Sequence, residues 1–399
     1  IKISGFSKAI RIVSGEKGKC SGPGDMSHFQ ALSTAISGTV GVGNIGGVAV
    51  AISIGGPGAA FWLFMAGFLG MSTKFVECTL GVKYRRHNPD GSVSGGPMYY
   101  LERYLLDRGF PQLGKLLGGF YALALVIGCF GIGNMFQSNQ AYVQVLGITG
   151  GENSFFADKG WLFGLLLAGA VAAVIIGGIR SIARVASKIV PFMAVLYVFS
   201  ALLIIVMSSE HVVGAIGLII SSAFETSSMT GGAIGAMIVG FQRAAFSNEA
   251  GIGSASIAHS AVKTDEPVTE GLVSLLEPFI DTMVVCTLTS LVIVTTAYPN
   301  GLMDGGLEGI ALTSAAFAHH ISWSPYVISV AALLFAFSTS IAWAYYGLKG
   351  WTYLFGEGEM TQLVFKAIFC GFICLGCMIK LSAVLDFSDA MVFLIAVPN

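Results

Sequence analysis

Ten residues, Gly38 to Gly47, read Gly-Thr-Val-Gly-Val-Gly-Asn-Ile-Gly-Gly and hold the densest chemistry in the chain. Gly41 to Gly46 match the G-x-G-x-x-G pattern of dinucleotide-binding loops, whose backbone N–H groups cradle a pyrophosphate. That reading needs a strand before the loop, a helix after it and an acid about 20 positions on. The next acid is Glu77, beyond a further apolar span. The nucleotide reading fails.

The cluster sits inside 43 residues, Ala31 to Thr73, that contain no Asp, Glu, Lys, Arg or His. That length suffices for two membrane helices of about 20 residues each. A glycine break at membrane depth is tolerated only where it is packed in protein or lines a cavity. Broken half-helices aim N–H groups at an anion and free carbonyls for a cation. Thr39, Gly41 and Gly43 suit a substrate carboxylate. The carbonyls of Val40 and Gly43 and the side-chain oxygen of Asn44 suit Na⁺, a hard cation. Isolated glycines usually mark close helix packing, but here five fall in ten residues beside an asparagine.

A second interruption, Gly240 to Gly253, reads Gly-Phe-Gln-Arg-Ala-Ala-Phe-Ser-Asn-Glu-Ala-Gly-Ile-Gly in another apolar run. Gln242, Phe246 and Asn248 are candidate substrate contacts there, and Gln137 joins them from the third span, where Asn134 and Asn139 are also polar. Ser338 and Thr339 lie in a run free of acids and bases. Their hydroxyls either back-bond to their own helix or complete an oxygen cage for Na⁺. Trp343, one turn on, could cap a small ligand with Phe246. Arg243, Glu249, Glu277 and Asp281 are intramembrane charges that must face protein or a water-filled cavity. A buried Arg243–Glu249 pair stabilising the break is the structural reading; proton carriage by Glu249, Glu277 or Asp281 is the functional one. His259 and its neighbouring hydroxyls form no nucleophile–base–orienter set, and the six His show no metal spacing. No enzyme is indicated. Cys370, Cys374 and Cys377 share a helical face without an interleaved His or carboxylate, and read as packing residues.

Composition sets the frame for these positions. The chain has 399 residues, 54% hydrophobic and 11% charged, against about a quarter charged in soluble proteins. Ten spans are expected, at 27–52, 57–84, 112–147, 160–179, 185–208, 230–260, 268–297, 324–354, 361–379 and 386–399. A capping box, Ser27 to Gln30, starts the first, and Pro57 suits the first turn of the second. A short cytoplasmic helix is expected around Met98 to Asp107. Val212 to Phe224 and Leu307 to His319 read as outer surface helices. Short alternating strands, the mark of a membrane barrel, are absent from the sequence. Lys2, Lys8, Arg11, Lys17 and Lys19 precede the first span, while Lys83, Arg85 and Arg86 follow the second. Arg180, Arg184 and Lys188 fall on the same side, and little beyond Lys159 and Lys380 on the other. By the positive-inside rule the lead, residues 1–25, is cytoplasmic. A net charge of −1 gives no case for nucleic acid. The partners are the bilayer, a small substrate and an ion.

Five spans separate the two glycine breaks, and an odd number reverses orientation. Broken segments at corresponding places in two halves point to an inverted repeat with a midplane site. The halves fall at 26–209 and 210–399 of one transporter domain, the last helix cut short. The chain begins at Ile1 without Met and stops at Asn399 inside an apolar run, as expected of a piece of a longer protein.

The chain resembles the alanine/glycine:cation symporters, the sodium:alanine symporter family. The matching text includes Gly41-Val-Gly-Asn-Ile-Gly-Gly-Val-Ala, Gly55-Gly-Pro-Gly-Ala-Ala-Phe-Trp62, Lys74 to Arg85, Gly95-Gly-Pro-Met-Tyr-Tyr and Phe246-Ser-Asn-Glu-Ala-Gly-Ile-Gly253. The resemblance implies an all-α polytopic membrane protein with the five-plus-five inverted repeat of the leucine-transporter fold, helices one and six broken. It implies Na⁺-coupled uptake of L-alanine and glycine, with D-alanine a further candidate, across the inner membrane and without a cofactor. It also implies that both breaks hold substrate, with Phe246 and Trp343 shaping a small pocket. Proton coupling and, from another class, a passive channel are the rival readings. Two departures stand out: the family usually carries a further helix before Asp25 and a longer C-terminus, and often has Thr at the position of Val42.

Overall fold

The computed structural model describes residues 3–15, 22–88, 91–225 and 232–399. Lys2, Lys17 and Lys19, and residues 230–231 of the expected sixth span, lie outside them. The chain is almost wholly helical. An amphipathic helix α1 (Ile3–Val13) precedes α2 (His28–Thr39), α3 (Gly46–Gly55) and α4 (Gly58–Lys83). A hairpin pairs Arg86–His87 with Val93–Ser94 and leads to α5 (Pro97–Asp107), which matches the expected short helix. Then come α6 (Pro111–Ile148), α7 (Gly160–Ile175), α8 (Gly178–Met207) and α9 (Ser209–Ser222). The second half holds α10 (Gly232–Asn248), α11 (Ala255–His259), α12 (Pro267–Ala297) and α13 (Ile310–His320). It closes with α14 (Ser324–Phe355), α15 (Glu359–Gly376) and α16 (Leu381–Ala396).

Among the described residues, six helices are long and apolar enough to cross a membrane, and seven if the bent pair α2–α3 counts as one span. Ten were expected. The fourth and tenth fall short of full spans, with 16-residue helices at α7 and α16. The sixth is cut in two by its own polar break.

Local chemistry explains the two interruptions. The Ser27 hydroxyl accepts the Gln30 N–H at 3.2 Å, and Gln30 Oε1 accepts the Ser27 N–H at 3.0 Å, closing the capping box that starts α2. Past Thr39 the chain bends by 57° before helix resumes, and a short 3₁₀ turn at Val42–Asn44 joins the halves. Between α10 and α11, Glu249 takes φ 58°, the one positive φ at a non-glycine among the described residues. Such a conformation is held only where the surroundings over-determine it. The chain entering α2 and the chain leaving α11 meet at one face of the protein. Met26 bridges Val262, and the buried Arg85 guanidinium donates to the carbonyls of Pro23, Ser260, Val262 and Thr264 at 2.6–2.9 Å. Helices α6 and α12 each contain π-wound segments, at Gly131–Met135 and Phe279–Cys286, and such bulges recur at functional sites.

Candidate functional site

The α2–α3 break is buried, and several of its freed backbone groups find partners. The Gly41 N–H ends on Asn44 Oδ1 at 2.9 Å, and the Val42 N–H on Gln137 Oε1 at 2.9 Å. The Ile45 carbonyl accepts from Thr313 Oγ1 at 3.0 Å. The Val42 side chain packs in the hydrophobic core while its N–H faces the site. Its contribution there comes through the backbone, so the missing Thr hydroxyl removes no contact seen here.

Asn44 is the hub of this face. Its amide donates to Asp281 Oδ1 at 2.5 Å and the Asp281 carbonyl at 3.2 Å, and reaches Ser247 Oγ at 3.1 Å. Asp281 also accepts from Ser247 at 2.8 Å and Thr282 at 2.6 Å. A buried carboxylate without a paired cation is thus held by hydrogen bonds alone. Thr39 back-bonds to Ala35 at 3.3 Å.

The α14 hydroxyls lie opposite the break. The Ser37 hydroxyl donates to the Ser338 carbonyl at 2.6 Å. Ser338 Oγ takes the back-bonded option, donating to the Phe335 carbonyl at 3.1 Å. Thr339 Oγ1 is buried and has no hydrogen-bond partner. It points at Gly41, where an added Cβ would come within 2.6 Å of it and 2.9 Å of Gln137 Oε1. One of the two expected hydroxyls is therefore free to bind a ligand.

Aromatic rings close the surroundings. Phe246 packs edge-on against Phe136 at 5.0 Å and touches Gly43, with the Arg243 guanidinium 5.4 Å from its ring. Trp343 is fully buried and donates its indole N–H to Glu249 Oε1 at 2.8 Å. Its ring fills the space left by Gly133, where a Cβ would fall 1.9 Å from Trp343 Cγ. Sequence reasoning missed Gly133, although Gly131-Ile-Gly133 just before Asn134 was a signal in the third span.

The expected Arg243–Glu249 pair does not form. Arg243 bonds Asp389 on α16, while Glu249 holds Ser254 and Trp343. Left-handed backbone at Glu249 turns its side chain away from the α10 face that carries Arg243. Gln242 goes with Arg243 and also contacts Asp389. Asn248 donates to Thr282 Oγ1 at 3.0 Å and accepts the Ala250 N–H at 2.9 Å, bracing the break. Gly41, Gly43, Asn44, Gln137, Phe246 and Thr339 converge; Trp343 lies one turn further along α14, against Gly133 and Glu249, and Gln242 and Arg243 form a separate cluster with Asp389. Asn134 and Asn139 donate to carbonyls of Phe369 and Gly376 and link helices. Among the described residues no group of three or more His, Cys, Asp or Glu is arranged for a metal ion.

A chain of buried ionisable groups also went largely unread in the sequence. Glu277 bonds Lys74 at 2.8 Å, and Glu270 bonds His259 at 2.6 Å and His28 at 2.5 Å. Glu77 accepts the Gly251 N–H at 2.9 Å, satisfying backbone freed at the second break.

Crossing helices with two buried polar interruptions define a multi-pass membrane protein of the kind that transporters form. The family model described as "Sodium:alanine symporter family" matches residues 1–399, and the chain belongs to that family. It is 42% identical over 380 residues to the sodium/alanine symporter AgcS of Methanococcus maripaludis, covering 94% of this chain and 81% of that protein. It is 35% identical over 376 residues to the probable sodium/glutamine symporter GlnT of Bacillus subtilis, covering 94% and 75%. Among solved structures it is similar to MhsT in complex with L-phenylalanine, with a TM-score of 0.67 at 16% identity, covering 95% of this chain and 87% of that one. At that identity the likeness shows the fold, which is of the leucine-transporter type.

Proposed function

We propose that the protein imports small neutral amino acids, L-alanine and glycine foremost, together with Na⁺ by alternating access. The observation that carries this reading is the unpartnered Thr339 Oγ1 facing the unwound Gly41 backbone, with Phe246 against Gly43 and Trp343 one helical turn along α14. Na⁺ binds between the carbonyls of Val40 and Gly43, Thr339 Oγ1, and the Ser338 and Asn44 oxygens after a small rotation. The substrate carboxylate takes the N–H groups of Gly41 and Val42, displacing Gln137 Oε1, whose amide then donates to it. Thr39, Gly43 and Asn248 border the ligand, and the Trp343 ring with Phe246 limits its side chain to about a methyl group. Gln242 acts from further out, through the Asp389 cluster. Names of relatives that specify alanine and glutamine support neutral amino acids as the substrate class.

One Na⁺ moving inward across 100 mV releases about 2.3 kcal/mol, enough for roughly a fifty-fold gradient of substrate. Residues 26–209 and 210–399 act as inverted repeats that rock around the fixed site, with residues 1–25 on the cytoplasmic side of the inner membrane. Purified protein in liposomes is expected to accumulate alanine on an inward Na⁺ gradient and to show counterflow. Uptake that persists unchanged in choline refutes the coupling, and the absence of counterflow refutes a carrier in favour of a channel.

A further inference from the structure

The ionisable groups beneath the two breaks form a continuous ladder. Each inner rung makes contact through two different atoms. The His28 ring, its side chain 10% exposed, meets Glu270 Oε2 with Nδ1 at 2.5 Å. Glu270 Oε1 meets His259 Nδ1 at 2.6 Å. His259 Nε2 faces Glu277 Oε2 across 3.5 Å, and Glu277 Oε1 meets Lys74 Nζ at 2.8 Å. A group that accepts at one atom and donates at another passes a proton onward, whereas a merely structural pair needs only one of them. The rungs come from four helices, α2, α12, α11 and α4; only Glu270 and Glu277, seven apart on α12, owe their alignment to helix turns.

Charge counting argues in the same direction. Glu77 and Glu249 lie within electrostatic reach of the Lys74 ammonium. Glu77, Glu249, Glu270 and Glu277 are all buried, and four carboxylates against the Lys74 ammonium and the Arg85 guanidinium leave two uncompensated negative charges. Uncompensated charge at membrane depth is expensive, so the cluster must hold protons. Further groups face it: Cys78 and Glu77 from α4, Arg85 towards Glu270, Tyr121 and Tyr346 from α6 and α14, and Asp281 beyond Glu277. Arg85 is already committed to four carbonyls. Meanwhile His259 Nε2, Glu277 Oε2 and Glu77 Oε2 are buried without a hydrogen-bond partner. The gap between the first two is the place for a mobile proton.

We propose that this ladder is a proton-binding site loaded through His28, and that its proton occupancy changes as the carrier binds substrate. A proton taken up by the His28 ring leaves through Nδ1 to Glu270 Oε2. Glu270 Oε1 protonates His259 Nδ1, and His259 Nε2 releases a proton to Glu277 Oε2; each transfer leaves the rings in the other tautomer and the Glu270 proton on the other oxygen, so ring flips and carboxyl rotation reset the ladder before a second proton passes. The upper end reaches the site because Glu249, which faces Lys74, holds the Trp343 indole. The coupling rests on the proposed alanine–Na⁺ reading; the proton occupancy does not.

The test uses purified, weakly buffered protein with a pH-indicator dye in a stopped-flow cell, and counts bound labelled alanine in the same sample. Adding alanine with Na⁺ is expected to move up to about one proton per bound alanine, a shift shared by the coupled groups. His259→Gln should remove at least half of it. His28→Gln, at the rim, should keep the amplitude and slow it about tenfold, the inlet being lost. Alanine binding without a proton change, or an unchanged amplitude in H259Q with an unchanged rate in H28Q, overturns the proposal. If H259Q does not fold, the H28Q time course decides. If the wild type binds no alanine, the transport reading fails instead. Ligand-free titration over roughly pH 6 to 9 then tests the ladder, since H259Q should bind fewer protons than wild type across that range. Equal titration curves overturn it.

Discussion

Gly41→Ala and Gly47→Ala change two members of one glycine cluster and should behave oppositely. At Gly41 the new methyl would lie 2.6 Å from Thr339 Oγ1 and 2.9 Å from Gln137 Oε1, inside any ordinary contact distance. The φ there is −127°, so the backbone itself accepts alanine and the penalty is steric alone. Overpacking of a close-packed site costs about 1–3 kcal/mol. Because the displaced groups are the proposed Na⁺ and carboxylate ligands, alanine affinity should fall about 5- to 150-fold, at 1.36 kcal/mol per decade. At Gly47 nothing lies within 4 Å of the added carbon. Inside α3 the change should be neutral or stabilising by about 0.5–1 kcal/mol. The assay is alanine binding to purified protein at saturating Na⁺, with thermal unfolding measured alongside. Thr339→Ala in the Gly41→Ala background should restore part of the lost stability, because it removes the nearer clashing atom. Equal behaviour of the two glycine variants, or no rescue of stability in the double variant, would refute the packing argument at the break.

Three further outcomes follow from the same geometry. Trp343→Ala should admit larger amino acids as competitors of alanine uptake while lowering stability by about 3–5 kcal/mol, and Trp343→Phe should keep selectivity but lose the bond to Glu249; unchanged competition profiles in Trp343→Ala contradict its pocket role. Lys74→Met leaves Glu277 buried without its cation and should cost about 3–5 kcal/mol, with Glu277→Gln in the same chain recovering much of it by thermal denaturation. Asn44→Ala strips partners from the Gly41 N–H and the Asp281 carboxylate, about 1–3 kcal/mol for each unsatisfied group. It should abolish Na⁺-dependent binding while leaving the protein in the membrane fraction.

Much of the fold was legible because membrane insertion writes itself into composition. Uncharged runs located α4, α6, α8, α12 and α14, and glycine clusters located both breaks, since only glycine-rich or polar chain tolerates unwinding at depth. Ser27 and Gln30 announced the start of α2 through local chemistry alone. The contacts across helices were less visible. Arg243 was paired with Glu249, six positions away, but its partner is Asp389, 146 residues on. Lys74 and Glu77, three apart on α4, were a polar pair within a span and went unread in the sequence. His28, His259 and Glu270 carried no spacing that could show they touch, because four separate helices bring the ladder together. The fate of Ser338 and Thr339 also turned on rotamers that sequence does not specify. Gly133 gained its meaning only from Trp343 pressed against it.

Equilibrium binding of alanine to the purified protein as a function of Na⁺ concentration tests the central claim most directly. If Na⁺ completes the site between Gly43 and Thr339, the dissociation constant for alanine should fall about 5- to 150-fold from choline to saturating Na⁺, the usual span of coupling between two sites. An alanine affinity that is the same in choline and in Na⁺ contradicts the account.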